Sequence, residues 1–223
     1  MKYLKKTILL LAFFTFTLSN TQAQNFSYSL SNTTANYTEL VSPTNLSNGS
    51  DWKHTSFKIP IGFSFPCLGQ NFDSLRIEPN GFIIFDKKSN YALATYKGLS
   101  CKQDSNQNWS TLSYILSGGI LKIQYKNLGF TTDETELFNY QVWMYTNGNI
   151  EIHTGSNPTA TYITNDQTTL LGLVNMNQDT NTKAYLASGS PDAPTGSSIS
   201  INDPLLYLFP IPSDGKVFTF IHQ

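Results

Sequence analysis

The acidic side chains are the residues with which this chain could most readily do chemistry. Hydrolysis of a glycosidic bond needs two carboxyl groups that face each other across a cleft, about 5 to 10 Å apart. The chain offers six candidates for such a pair: Asp73, Glu78, Asp86, Glu134, Glu136 and Glu151. Nothing in their spacing pairs any two of them, and the sequence has no GxSxG, HExxH or P-loop motif. We therefore expect no enzyme, with a polysaccharide hydrolase as the alternative.

A metal site has one weak candidate. Oxygen ligands recur at every second residue, as in a calcium-binding loop, at Asn175, Asn177, Asp179 and Asn181. The segment lacks the central glycine and the downstream bidentate glutamate of an EF-hand, which favours a plain polar turn. His153 alternates with Ile152 and is expected to point to solvent or to a loop. We predict no cofactor, and calcium stays open as the alternative.

Aromatic side chains favour a binding function instead. Trp109, with Asn108 before it, lies in a polar segment, and an exposed indole offers a large contact area to a sugar or a protein. Trp143 alternates with Val142 and Met144 and so faces the opposite side of its strand. Burial of Trp143 in a face of the core is the alternative. We predict Trp109, Trp143 and Asn108 as binding residues.

The first 23 residues have the pattern of a cleaved export signal. Three lysines among the first six residues form a basic start, residues 8–18 are almost wholly apolar, and the sequence fits cleavage between Ala23 and Gln24. The apolar run is shorter than the roughly 20 residues of a membrane span, and no later run replaces it. We expect a protein with no transmembrane segment that is exported to the medium, the cell surface or the periplasm.

Charge and cysteine content narrow the partners and the compartment. Removing residues 1–23 removes three of the 14 basic residues and none of the 15 acidic ones, which leaves 11 against 15 and a net charge of −4. A mildly acidic surface argues against nucleic acid or an anionic membrane as the partner. Cys67 and Cys101 are compatible with one disulfide that closes a loop of about 35 residues in an oxidising compartment. Two unpaired thiols are the alternative.

The segments that must position these residues alternate polar and apolar side chains with a period of two. The pattern predicts strands at residues 57–65, 75–78, 82–85, 121–126, 140–145, 149–153, 170–174, 183–186 and 217–221. Asn80-Gly81 and Asn147-Gly148 predict tight hairpin turns. Turn-forming residues predict loops at residues 31–50, 97–111 and 188–203.

One open sheet of this many strands would leave an apolar face uncovered. We therefore expect residues 24–223 to form an all-β fold, a single-domain antiparallel β-sandwich that is jelly-roll-like.

Seven motifs, in order along the chain, resemble a nidogen-like β-sandwich module of exported Bacteroidetes proteins. They are DW at residues 51–52, IPIGFSF at 59–65, GQNF at 69–72, PNGF at 79–82, YQVWMY at 140–145, GNIEIHTG at 148–155 and PSDGKVFTF at 212–220. The resemblance implies a cell-surface or secreted accessory module with no established catalytic residue to carry over. Many such proteins also have a C-terminal sorting domain for type-nine secretion, which we do not expect in this chain.

Together these observations predict an exported, non-catalytic recognition or adhesion module. We expect it to bind a glycan, or a protein of the cell envelope or the extracellular space, through loops at the ends of the sandwich. A polysaccharide hydrolase and a structural subunit of an envelope assembly are the alternatives. The sequence predicts neither the identity of the ligand nor the oligomeric state.

Overall fold

The computed structural model describes residues 28–85, 91–96, 99–104, 106–130, 137–155, 170–175, 182–201 and 211–223. The predicted export signal, with its cleavage point at Ala23 and Gln24, lies outside these residues. Every element in the described ranges is a β-strand, as the period-two pattern predicts. In the same ranges no helix is long and apolar enough to cross a membrane.

The strands form two antiparallel sheets that share one core. The larger sheet contains β1 (Tyr28–Thr34), β2 (Thr44–Asn45), β7 (Leu99–Ser100), β8 (Thr111–Ser117), β9 (Ile120–Phe130), β10 (Phe138–Tyr145), β11 (Ile150–Thr154) and β15 (Lys216–His222). The smaller sheet contains β3 (Phe57–Cys67), β4 (Gln70–Ile77), β5 (Phe82–Phe85), β6 (Tyr91–Thr95), β12 (Leu171–Asn175), β13 (Thr182–Ser190) and β14 (Ala193–Ile201).

The order of strands in the larger sheet is β1-β15-β11-β10-β9-β8-β2, and β7 pairs with β9 beside this path. The order in the smaller sheet is β14-β13-β12-β6-β5-β4-β3. Consecutive strands stay in one sheet from β3 to β6 and from β8 to β11, so most neighbours are joined by hairpins. The predicted β-sandwich is confirmed.

The core between the sheets follows from the alternation along each strand. On β9, Leu121, Ile123 and Tyr125 are buried in the core, and Lys122 alternates with them toward the outer face of the larger sheet. Tyr125 stacks on Tyr140 of β10 with 4.5 Å between the ring centroids. Because each fully buried large apolar side chain contributes about 1.5 to 3 kcal/mol, this alternation fixes which side of the sheet faces inward.

Both predicted Asn-Gly hairpins form, but each turn has three residues. In the hairpin between β10 and β11, Tyr145 N–H donates to Asn149 O at 3.0 Å and Gly148 N–H donates to Tyr145 O at 3.0 Å. Residues 146–148 therefore make the turn, and within it the glycine takes a positive φ, 89° at Gly148. The turn at residues 79–81 has the same pattern, with φ of 84° at its glycine. Such a three-residue turn is the next most common kind after the two-residue hairpin.

All three predicted loops contain strands, which corrects the sequence-based assignment. Residues 188–203 contain the end of β13 and all of β14, and the two strands pair along their whole length. Strand β14 is rich in serine, threonine and glycine, yet main-chain hydrogen bonds hold it at the edge of its sheet. Parts of β1 and β2 occupy residues 31–50, and β7 lies within residues 97–111. Polar composition therefore marks edge strands here as well as loops.

The two ends of the sandwich differ in their connections. At one end, which we call the hairpin end, short turns join neighbouring strands at residues 68–69, 118–119 and 146–148. At the other, the loop end, two longer connections, residues 46–56 and 102–110, meet the turn at residues 79–81. Trp52 Nε1 donates to Ser110 O at 2.8 Å, and Ser56 Oγ donates to Glu78 Oε2 at 2.5 Å. The loop end therefore holds its connections together through side chains.

The predicted disulfide between Cys67 and Cys101 is corrected by the structure, in which both are free, buried thiols. Cys67 lies at the hairpin end beside Tyr28, whose hydroxyl donates to Gly148 O at 3.2 Å. Cys101 lies at the loop end beside Ser110. The two cysteines are thus at opposite ends of the sandwich, whereas a disulfide requires Cα atoms within about 7 Å.

Candidate functional site

Asp104 orders the described part of the 102–110 loop, residues 102–104 and 106–110, at the loop end. Its carboxylate accepts hydrogen bonds from Asn106 N–H at 2.8 Å and from Asn108 N–H at 2.9 Å. Asn108 Nδ2 donates to the other oxygen, Oδ2, at 3.2 Å. These hydrogen bonds, the one from the Asn108 backbone first, hold the pKa of Asp104 below its usual value. The loop is therefore ordered before a ligand arrives, which reduces the entropy lost on binding.

Ser110 joins the same loop to the core. Its carbonyl accepts the hydrogen bond from Trp52 Nε1 at 2.8 Å, its Oγ accepts one from Lys102 N–H at 2.8 Å, and its own N–H donates to Lys102 O at 2.7 Å. Trp52 is only 2% exposed, so this anchor is itself part of the core. The loop therefore has a fixed position relative to the two sheets.

Trp109 lies half-buried in this loop and packs against the core. The Nζ atom of Lys53 is 5.2 Å from the centroid of the Trp109 ring, and Asp51 Oδ2 is 4.0 Å from the same nitrogen. Asn108, the residue before Trp109, is exposed. The structure thus brings the predicted binding residues Trp109 and Asn108 together and adds Lys53. No local sequence pattern indicates Lys53, because it belongs to a different loop.

Trp143 lies on the outer face of the larger sheet, opposite the buried side chains of Val142 and Met144. It is therefore not buried in the core, which was the predicted alternative. Lys122 Nζ, from β9, is 3.6 Å from the centroid of the Trp143 ring, and the His153 ring, from β11, stacks on it at 4.1 Å and 26°. Strand β10 lies between β9 and β11, and two groups this close cannot share one face of a ring. Lys122 and His153 therefore cover opposite faces of the indole.

Glu151 extends this stack of Lys122, Trp143 and His153 to a fourth side chain. Its Oε2 accepts a hydrogen bond from the Tyr145 hydroxyl at 2.6 Å and lies 2.8 Å from His153 Nε2. Hydrogen bonding to His153, and then to Tyr145, holds the pKa of Glu151 below its usual value, against the opposing effect of burial. His153, predicted to point to solvent or to a loop, is instead enclosed between the Trp143 indole and a carboxylate, with 13% of its side chain exposed.

Residues 35–41, which we call the strap, cross the outer face of the larger sheet. Gln141 Nε2 donates to Thr38 O and Leu40 N–H donates to Gln124 Oε1, both at 2.8 Å. Gln141 Nε2 also donates to Gln124 Oε1, and Trp143 Nε1 donates to Gln141 Oε1, again at 2.8 Å. Both glutamines are buried although they point away from the core. The pair is absent from the predicted site residues, and its one signal in the sequence is a glutamine at an outward position on each of two adjacent strands.

The described candidates for a hydrolytic carboxylate pair lie apart. Asp73 is on β4 and Glu78 follows the same strand in the smaller sheet, where it pairs with Arg76. Glu151 lies on the outer face of the larger sheet. The sheets of a sandwich are about 10 Å apart, so Glu151 does not face Asp73 or Glu78 across one cleft. The other candidates lie outside the described residues: Asp86, Glu134 and Glu136.

The calcium candidate is described in one of its four residues. Asn175 ends β12, and the remaining three lie outside the described residues: Asn177, Asp179 and Asn181. In the part of the chain that the structure describes, no three His, Cys, Asp or Glu side chains gather where they could hold a metal ion.

A family model matches nearly the whole chain. The family is described as NIDO related, and the match covers residues 27–222, from the residue before β1 to the last residue of β15. No curated protein and no solved structure matches the chain. The family match agrees with the motifs that resemble a nidogen-like module.

Proposed function

Because the chain belongs to the NIDO-related family, we propose that it is a non-catalytic recognition module that binds a glycan through its loop end. The proposal places the protein outside the cytoplasm, which the export-signal pattern of residues 1–23 supports. The family match supports a module of this kind and names no ligand. The ligand class is argued from the residues of the loop end.

The ordered loop of residues 102–110 is the observation that carries the proposal. Sugars are bound by an aromatic ring that packs against their apolar face and by polar groups that fix their hydroxyls. Trp109 supplies a half-buried ring, and the three residues before it in the loop are exposed and carry amide side chains: Asn106, Gln107 and Asn108. Since Asp104 and Ser110 already hold the loop in place, these groups are presented together without further ordering.

Trp143 is the weaker candidate for the same role. Lys122 and His153 occupy both faces of its ring, and Gln141 accepts the hydrogen bond from its Nε1. A sugar could stack on Trp143 only after one of these neighbours had moved. We therefore assign the contact surface to the loop end and treat the Trp143 stack as part of the scaffold.

A glycan array probed with the purified protein tests the proposal, together with a hydrolysis assay on every glycan that binds. The matched variants are Trp109→Leu and Trp143→Leu, which keep an apolar side chain and remove the ring. We expect Trp109→Leu to lower the affinity at least about tenfold, a loss typical of a ring at the centre of a contact surface. Trp143→Leu should bind as the unmodified protein does, with circular dichroism confirming that both variants are folded.

Three results would contradict the proposal. Turnover of a bound glycan that is abolished by changing one carboxylate, such as Glu151→Gln, would make the protein a hydrolase. Co-purification with a fixed protein partner and no affinity for any glycan would make it a structural or protein-binding subunit. Equal losses from both tryptophan variants would move the contact surface away from the loop end.

A further inference from the structure

We infer that the loop end selects anionic glycans, and that Lys53 is the residue that selects them. The inference deepens the proposed glycan binding and rests on it. The carrying observation is the position of the Lys53 ammonium group, 5.2 Å from the centre of the ring on which a sugar would stack.

The Lys53 ammonium group is held loosely. Its side chain is 43% exposed, and its distance of 4.0 Å from Asp51 Oδ2 is too long for a hydrogen bond. A contact at 5.2 Å between an exposed ammonium group and an indole is weak, since solvent competes for the charge. Lys53 can therefore leave the ring of Trp109 without disturbing the fold.

The charge of the ligand decides what happens when Lys53 moves. A neutral sugar that stacks on Trp109 displaces the ammonium group and gives it no new partner. A sugar that carries a carboxylate or a sulfate group exchanges the weak contact with the ring for a charge-assisted hydrogen bond, which is the stronger interaction. The same lysine thus disfavours neutral ligands and favours anionic ones.

Among the described residues, the acidic side chains of the loop end already have partners within the protein. Asp104 accepts hydrogen bonds from the backbone of Asn106 and Asn108, and Glu78 is paired with Arg76 and accepts from Ser56. The negative charges of Asp104 and Glu78 are therefore compensated by partners within the protein. Asp51, the remaining described carboxylate beside Lys53, accepts a hydrogen bond from Lys53 N–H through Oδ1 at 2.9 Å. The ammonium group of Lys53 is therefore only weakly paired and can bind an incoming anion.

Two pairs of oligosaccharides test the inference, each pair sharing one backbone and differing in charge. The first is hexagalacturonate and its fully methyl-esterified form, and the second is a sulfated galactan hexasaccharide and its desulfated form. Titration calorimetry should give at least about tenfold tighter binding to the anionic member of one pair, and the pair that responds distinguishes a carboxylate from a sulfate ligand. Added salt should weaken that binding.

The matched variants are Lys53→Gln and Lys122→Gln, because each removes one ammonium group from above one indole. Lys53→Gln should remove the preference for the anionic member and leave the neutral member bound as well or better, whereas Lys122→Gln should change neither. Equal binding of charged and neutral members, lost in Trp109→Leu, would overturn the inference while glycan binding at the loop end stands. Absence of any glycan ligand on the array would instead overturn the proposed function, and this inference with it.

Discussion

The loop end and the outer face of the larger sheet each place a lysine over a tryptophan, with different results. At the loop end, the Lys53 ammonium group lies 5.2 Å from the ring of Trp109 and 4.0 Å from Asp51 Oδ2, so it is weakly held. On the outer face, Lys122 lies 3.6 Å from the ring of Trp143, and His153 closes the other face of that ring. The first arrangement leaves a ring that a ligand can reach, and the second makes the ring part of the fold.

The difference comes from the element that carries each tryptophan, a central strand for Trp143 and a loop for Trp109. Trp143 stands at the centre of three regular strands, so cross-strand neighbours fall on both of its faces at fixed distances. Trp109 belongs to a loop, where it is half-buried and packs against the core. Both indoles are half-buried, so exposure alone does not distinguish the two sites. An indole whose faces are covered by neighbouring strands is part of the fold, and one that lies in a loop is the better candidate for binding.

Replacing each tryptophan with alanine is the strongest test of this comparison. We expect Trp143→Ala to lower the free energy of unfolding by about 2 to 3 kcal/mol, since it removes two ring contacts and the hydrogen bond to Gln141. Trp109→Ala should cost about 1 to 2 kcal/mol, because its ring is half-buried in a loop. Urea denaturation measures both, and equal losses would show that the two rings are equally part of the scaffold.

The strap sharpens the comparison, since it links Trp143 to the chain that crosses the outer face. We expect Gln141→Leu to cost about 2 kcal/mol, because Thr38 O and Trp143 Nε1 lose their hydrogen-bond partner and Gln124 Oε1 keeps only the one from Leu40 N–H. Hydrogen exchange at Leu40 N–H should accelerate in this variant, and exchange in residues 102–110 should not change. Faster exchange at the loop end would mean that the two regions are coupled.

The Glu151 carboxylate makes the outer face sensitive to acid. Because its pKa is lower in the folded protein than in the unfolded chain, its interactions stabilise the fold above the usual pKa of glutamate, about 4.3, and are lost as the pH falls through the folded pKa. The part of the stability that Glu151→Gln removes should therefore be present at neutral pH and vanish in strong acid. We expect it to be less than about 1 kcal/mol for this partly exposed group. Urea denaturation of both proteins between pH 2.5 and 7 measures it, and a difference that stays constant over this range would contradict the assignment.

The smallest expected effect separates the two lysines directly. Lys122→Gln should lower the free energy of unfolding by about 0.5 to 1 kcal/mol, and Lys53→Gln by less than about 0.3 kcal/mol, since only Lys122 lies in close contact with its ring. Thermal denaturation at one salt concentration compares them. A larger loss from Lys53→Gln would mean that the Lys53 ammonium group is held in place and cannot be released to a ligand.

The fold was largely predictable, because apolar alternation is a local signal. All nine predicted strands lie within or overlap β-strands of the structure, including the alternation of Leu121, Lys122 and Ile123 on β9. The strands that were missed carry weaker local signals. Strand β14 is held by main-chain pairing with β13, and β6 is a short run in which every residue is buried. The composition of β14 predicts a loop, and β6 shows no alternation of polar and apolar residues by which it could be recognised.

The neighbours in the Trp143 stack were not predictable, because they depend on register. A two-residue turn at Asn147-Gly148 would place Trp143 opposite Ile152, whereas the three-residue turn places it opposite Glu151. One residue in a turn therefore decides that Trp143 meets Glu151 directly and His153 on the diagonal. The pairing of Lys53 with Trp109 depends on how two loops meet, which no local pattern specifies. The disulfide prediction failed for the same reason, since chain spacing cannot tell that Cys67 and Cys101 lie at opposite ends.

The two buried thiols allow local opening to be measured separately at each end of the sandwich. Burial raises the pKa of the Cys67 thiol to about 12 and raises that of Cys101 as well, so neither presents a reactive thiolate at neutral pH while the fold is intact. A thiol-specific alkylating dye, added to the native protein, will label only molecules that have opened around one of these cysteines. Mass spectrometry of the labelled peptides then gives two opening rates, one for the hairpin end from Cys67 and one for the loop end from Cys101.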